Sequence, residues 1–286
     1  MSTPAVIRLL LADGTADGFR VLDKSNWTGR CLLTSRADYA RVRTRTEWAR
    51  PGVYLLQGPH PSEERPLLYV GEADDVRGRL DQHAKSKDFW TLAVAFTSKD
   101  DTLNKAHVRY LESRLLTLAP QVGRVVLDNG TAPTVPPLSE ADVAEADGFL
   151  AELLVVAPLT GVTAFEALAA PSPSHPSLLC KGAGGASARG RETPEVFVVE
   201  EGSRVRLDTV ASVAKLPLMA LRQRLVASGV LLLDGATYVF SRDHVFGSPS
   251  NAAGVVLGRT ANGRVEWKTA EGKTLKELQE ETLPSG

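Results

Sequence analysis

Two short tyrosine units, Gly52-Val53-Tyr54 and Tyr69-Val70-Gly71, stand fifteen residues apart from Tyr to Tyr. Arg79 and His83 follow four residues apart, which places them on one face if that stretch is helical. Lys105, Arg109 and Glu112 have the i, i+4, i+7 spacing and share a face under the same condition. Two phenols, a guanidinium, an imidazole and a carboxylate are the groups needed to activate water and to stabilise a phosphorane-like transition state. Each residue alone has an ordinary use: a strand tyrosine packs, Arg109 pairs with Glu112 across a helix turn, and a histidine near a helix C-terminus meets its dipole. The chemistry requires them together.

The elements that would bring them together are short and ordered. GVYLLQ (52–57) is β-branched and aromatic and predicts a strand, and LLYVG (67–71) predicts a second, joined by a polar, turn-bearing loop as an antiparallel hairpin. Asp74 or Asp75 can cap a helix that runs through His83, with Val76 and Leu80 on its buried side. FWTLAVAFT (89–97) predicts a third strand. Leu103, Ala106, Tyr110, Leu111, Leu115 and Leu118 keep the helical period, with Pro120 expected as the stop.

That series resembles the GIY-YIG nuclease family, which includes homing endonucleases and the incision subunit of bacterial nucleotide-excision repair. The resemblance rests on GVY and YVG, Arg and His eight and twelve residues past Gly71, Glu112 in RYLESRLL and a later Asn, over about eighty residues. It implies an α+β fold with a small three-stranded antiparallel sheet flanked by helices, followed by a second small α+β domain. It also implies a metal-dependent endonuclease acting on DNA phosphodiesters. In this reading Tyr54 and Tyr69 line the site, Tyr54 placing or activating the attacking water. Arg79 stabilises charge on the scissile phosphate, His83 positions or shuttles a proton, and Glu112 is the one metal-binding carboxylate. A single carboxylate suits one Mg²⁺, or Mn²⁺, with waters and phosphate completing its shell. Gly71, Lys105, Arg109 and Asn129 are the substrate-binding candidates. Both central Ile positions are Val here, and Glu72 follows Gly71 where many members carry a small polar residue.

Around this core the sequence divides at Arg50-Pro51-Gly52, at DNGTAPTVPP (128–137) and at PSPSHP (171–176). The expected organisation is an N-terminal extension (1–50), holding the helix-like run RADYARVRTRTEWA, then a nuclease domain (51–131). An acidic helix starting at SEAD with a linker (132–176) and a C-terminal α+β domain (177–286) follow. Residues 1–50 carry nine Lys/Arg against five Asp/Glu, and 177–270 carry twelve against eight, although the whole chain is near neutral at −1. Two mildly basic regions flanking an acidic one are compatible with two nucleic-acid contacts.

The stretch FVVEEGSRVRL…LRQRLVASGVL…YVFSRDHVFGSPSNAAGVVLG…W in residues 177–286 resembles a domain of unknown function that often follows GIY-YIG domains in bacterial proteins. Its DNA-docking candidates are Arg222, Arg224, Arg242, His244 and the Ser248-Pro249 helix start. FVVEEG predicts a strand there, LMALRQRLVASG a helix closed by Gly229, DG a hairpin turn, ANGRVEWKT an NG turn, and GKTLKELQE a last helix. KGAGGASARG (181–190) predicts a turn or loop and not a phosphate cradle. Trp27 and Trp90 predict core positions. Cys31 and Cys180 lack the spacing of a metal or disulfide framework. No apolar run approaches a bilayer span and the N-terminus lacks a basic leader, so no membrane partner and a cytoplasmic setting are expected. The competing functions are a non-catalytic nucleic-acid binder that keeps the fold and a protein-interaction adaptor using the acidic helix.

Overall fold

A computed structural model describes residues 4–63, 65–100, 102–130, 135–166, 176–194, 196–209 and 217–281. The chain divides into two compact units, Met1–Ala167 and Leu168–Gly286. The expected linker at 171–176 lies almost wholly outside the described residues, as do 131–134 of the expected exit from the nuclease core.

The first unit is built on one mixed sheet. Strands β1 (Ile7–Leu11), β2 (Arg20–Lys24) and β3 (Gly29–Ser35) precede helix α1 (Arg36–Val42) and a 3₁₀ turn at Thr46–Trp48. Then come β4 (Gly52–Gly58), β5 (Leu67–Ala73), α2 (Val76–Ser86), β6 (Leu92–Ser98), α3 (Lys105–Val122), β7 (Val126–Leu127) and α4 (Glu140–Val156). The strand order is β1-β2-β3-β6-β4-β5-β7, antiparallel throughout except for the β5–β7 pair.

The expected strand-strand-helix-strand-helix series is present, but the sheet has seven strands where three were expected. The expectation missed β1–β3 because it read residues 1–50 as an extension; β3 instead pairs along its whole length with β6. Pro120 also fails to stop α3. It sits inside the last turn, and the helix ends at Gly123, whose φ of 73° supplies the left-handed cap that a residue with a Cβ resists.

Strand alternation sorts the core into two layers. Val53, Leu55, Val70, Val94 and Phe96 point to the face covered by α3 and α4, where Leu111, Leu115, Phe149 and Leu153 meet them. Tyr54, Leu56, Ala93 and Ala95 point to the face covered by α1 and α2, against Tyr39, Trp48, Val76, Leu80 and Trp90. Both faces being covered explains why β4 and β6 read as nearly continuous apolar runs. Each fully buried Val, Leu or Phe contributes about 1.5–3 kcal/mol relative to exposure. Three helices start on side-chain caps: Ser35 accepts from Asp38 N, Asn104 from Ala106 N and His107 N, and Ser139 from Asp142 N, whereas Asp75 occupies the expected cap position of α2 without a side-chain cap hydrogen bond.

The second unit carries a second sheet. Its strands are β8 (Leu178–Lys181), β9 (Ser187–Glu192), β10 (Phe197–Val199), β11 (Arg204–Arg206), β12 (Leu231–Asp234), β13 (Thr237–Phe240) and β14 (His244–Phe246). Helices α5 (Pro217–Ala227), α6 (Pro249–Leu257), α7 (Gly263–Glu266) and α8 (Leu275–Glu281) accompany them. The expected DG hairpin is β12–β13. The glycine-rich 181–190 stretch is the β8–β9 hairpin, in keeping with a turn. The expected NG turn differs: Asn262 caps α7 by accepting from Arg264 N, so the pair opens a helix. Cys31 and Cys180 are free and buried.

Candidate active site

Alternation along β4 and β5 sends Tyr54 and Tyr69 to the α2 face of the sheet. Helix α2, one turn after another, brings Arg79 and His83 over them. The three rings form a cluster, with centroids 6.2 Å apart for Tyr54–Tyr69, 5.6 Å for Tyr54–His83 and 4.9 Å for Tyr69–His83. Tyr54 Oη lies 2.8 Å from His83 Nε2. Gly71 makes the cluster possible. It faces Tyr54 across the strand pair, and a Cβ there would sit 2.4 Å from the Tyr54 hydroxyl oxygen.

Burial and nearby charge set the protonation states of Tyr54 and His83. Burial pushes the Tyr54 phenol well above its ordinary range, with Tyr69 adding to the rise and the Arg79 guanidinium opposing it. Tyr54 is therefore a neutral phenol near pH 7. Burial, then the charges of Arg79 and Lys87, lower His83 to about 4, so its imidazole is neutral as well. Its Nδ1 is buried without a hydrogen-bond partner.

Glu112 arrives from the other face. It is half-buried on α3, one turn beyond exposed Arg109, while Lys105 reaches Glu72 at 2.9 Å and Asp74 at 3.4 Å. Burial, followed by the like charge of Glu72, raises the Glu112 pKa, and Arg109, Lys105 and Arg79 pull it down. Arg79 is the link between the two faces. Its guanidinium donates to Gln82 at 2.9 Å, and its charge acts on the Tyr54 phenol, on Glu112 and on Glu72. The meeting place is the C-terminal half of β5. Strand β7 pairs only with Leu67 and Leu68, so among the described residues no strand covers the outer edge of 71–73.

Asn129 takes over from that pairing at Val70. Its Oδ1 accepts from Val70 N at 3.0 Å and its Nδ2 donates to Val70 O at 2.7 Å, which extends the β7 ladder with a side-chain amide. The structure thus gathers Tyr54, Tyr69, Gly71 and His83, with Arg79 one turn before His83 on α2; Lys105 pairs with Glu72, and Glu112 stands on α3 across the sheet, within electrostatic reach of Arg79, Arg109, Lys105 and Glu72. Asn129 is placed on the β5 backbone. Two groups went unnoticed in the sequence. Lys87 stands 4.4 Å above the Tyr69 ring and pairs with Asp128. Lys87 is four residues after His83, so helical spacing alone could have shown it.

A cation at Glu112 can be tested against the donor set. Among the described residues no hydrogen bond or ion pair reaches the Glu112 carboxylate, and its neighbour Glu72 repels it. An oxygen ligand held half-buried beside a second carboxylate suits a hard divalent ion. The residues fit Mg²⁺ or Mn²⁺.

In the second unit the expected docking residues are divided. Arg222 is buried and donates to the carbonyls of Val255, Arg206 and Leu207 (3.2 Å for the last), so it serves the fold and not a surface. His244 is also buried, Arg224 is half-buried and Arg242 is exposed. The α6 start is occupied: Ser248 caps Asn251 N, Gly263 N donates to Ser250 Oγ, and Trp267 Nε1 donates to Pro249 O.

Residues 178–279 match the model of a family described as Domain of unknown function (DUF4357). No curated protein and no solved structure matches the chain. Among the described residues no helix is long and apolar enough to cross a membrane.

Proposed function

We propose that the first unit is a GIY-YIG-type endonuclease that hydrolyses DNA phosphodiester bonds with one Mg²⁺ or Mn²⁺ held by Glu112. The observation that supports it most directly is the Tyr54–Tyr69–His83 ring cluster under helix α2, on which Arg79 precedes His83 by four residues and carries a charge felt by both Tyr54 and Glu112. When bound, the ion supplies Lewis-acid stabilisation of charge on the phosphate oxygens.

The chain's own residues take the remaining roles. Arg79 is exposed and preorganised, so it meets charge developing on the scissile phosphate without reorganising. Tyr69, half-exposed where Tyr54 is wholly buried, is the phenol that an attacking water reaches. Behind it, neutral His83 shares a 2.8 Å hydrogen bond with the Tyr54 hydroxyl and fixes the position of that phenol. An imidazole with a pKa near 4 is too weak a base to keep the proton, so His83 is a positioning residue in this reading. Arg109 has no ion pair among the described residues and offers the backbone of DNA a free cation. In the second unit Arg224 and Arg242 remain as docking contacts. The two free cysteines fit a reducing, cytoplasmic setting.

The test is plasmid nicking. Mg²⁺ supports it, EDTA stops it, and Arg79→Ala slows it by about 10²-fold or more. Glu112→Gln loses cleavage while DNA affinity persists, because phosphate contacts elsewhere dominate binding. Undiminished nicking by Glu112→Gln, or none by the wild type with any divalent ion, overturns the proposal. A non-catalytic nucleic-acid binder is the second reading, favoured by the complete burial of Tyr54.

A further inference from the structure

Helix α3 begins with a histidine that the site above does not use. His107 is buried to within 5% of its surface. Its ring Nδ1 lies 3.3 Å from the Thr102 carbonyl oxygen. A carbonyl only accepts, so Nδ1 carries the proton in the neutral ring and Nε2 presents a lone pair. That lone pair faces helix α4. Nε2 has no hydrogen bond of sound geometry, yet it lies 3.4 Å from Asp142 Oδ1. Glu145 stands one turn along the same face of α4, and the donor atoms of His107, Asp142 and Glu145 all lie within 4.8 Å of one another.

We infer that these three residues form a second divalent-metal site, separate from Glu112, that takes a borderline transition ion such as Zn²⁺. Four arguments support it. A charge-assisted N–H···O bond would bring Nε2 and Oδ1 to about 2.7–2.9 Å. The observed 3.4 Å matches the ligand–ligand edge of a tetrahedral zinc site, about 3.4 Å for bonds near 2.1 Å. The other Asp142 oxygen already accepts from Ser139 Oγ at 2.6 Å, so the carboxylate is oriented by an outer partner, as metal-bound carboxylates are. Third, Glu145 is exposed and free to swing the remaining distance. Fourth, a groove of about 420 Å³, lined by His107 and Glu145 together with Trp27, Thr102 and Phe149, leaves room for a water in the fourth position. One imidazole and two carboxylates favour Zn²⁺ over Mg²⁺, since nitrogen donors follow the Irving–Williams order. The ion would clamp the start of α3 to the start of α4.

The inference is independent of the nuclease reading, and the experiment keeps them apart by working in full-length Glu112→Gln. Zn²⁺ titration by calorimetry is expected to show one ion per chain. Co²⁺ substitution is expected to give the visible absorption of a four-coordinate site. Asp142→Asn and Glu145→Gln, near-isosteric changes at a half-buried and an exposed position, are each expected to weaken Zn²⁺ at least tenfold, with the circular dichroism spectrum of the parent retained. Zn²⁺ should raise the melting temperature of the parent and not of the double variant. Equal Zn²⁺ affinity in parent and double variant places the ion elsewhere and overturns the inference. Absence of Zn²⁺ uptake at tens of micromolar overturns it too, leaving an ordinary His–Asp contact.

Discussion

The protonation state assigned to His83 makes a quantitative prediction about stability. In the unfolded chain its imidazole titrates near 6.5, whereas in the folded protein the value is held down to about 4. Between those values the unfolded chain binds more protons, so this residue makes stability rise with pH, full above about 6.5 and lost progressively toward 4. From pH 7.5 to 5 the full shift corresponds to about 2 kcal/mol. Residual water around the ring and neighbouring charges screen this to about 1 kcal/mol. For a unit of this size that is roughly 2–4 °C in melting temperature. Other groups titrate over the same range, so the measurement is a difference: calorimetric melting of wild type and His83→Gln at pH 7.5, 6 and 5, read on the first unit's transition. Wild type should lose the additional 2–4 °C, and the His83 ring signals in NMR should titrate near pH 4. Parallel melting curves, with ring signals moving near 6.5, would refute the assignment and return His83 to the role of proton shuttle.

Other consequences follow from the same contacts. Gly71→Ala forces a Cβ against the Tyr54 ring and should cost about 1–3 kcal/mol in urea unfolding, together with nicking activity; an unchanged midpoint would contradict the close approach. Asn129→Leu leaves the Val70 N–H and C=O without partners and should destabilise by about 1–3 kcal/mol, with faster amide exchange at Val70 as its local signature. Arg222→Ala strips the donor from three carbonyls and should lower the second unit's melting by several degrees without changing DNA affinity; weaker DNA binding by a fully folded variant would restore it as a docking residue.

How far the sequence reveals these arrangements depends on whether the cause is local. Helices α2 and α3 show their own periodicity, strands β4 and β5 show as short β-branched and aromatic runs, and the i, i+4 spacing of Arg79 and His83 reports a shared face directly. Strands β1 to β3 are harder. Leu9, Leu10 and Leu11 are exposed, so β1 lacks alternation, and the membership of β3 in the sheet is decided by a partner some sixty residues later. Asn129 illustrates the same limit: its position suits the resemblance, but its partner is fifty-nine residues away on β5. Arg222 looked like a surface cation because a helix pattern does not disclose which carbonyls it will meet. The histidine of the α3–α4 cluster was likewise invisible beside Asp142 and Glu145.

The insertion of β6 between β3 and β4 bears on how the protein can be dissected. A fragment starting at Pro51 would keep every side chain of the tyrosine cluster yet strip seven consecutive residue pairings from one flank of β6. That flank belongs to Leu92–Ser98, whose residues after Leu92 are all buried in the intact chain. A long, flat, greasy strand with open amides and carbonyls recruits other chains. Such a fragment would precipitate for reasons unrelated to its chemistry, and its silence in an assay would say nothing about whether the whole protein cuts DNA.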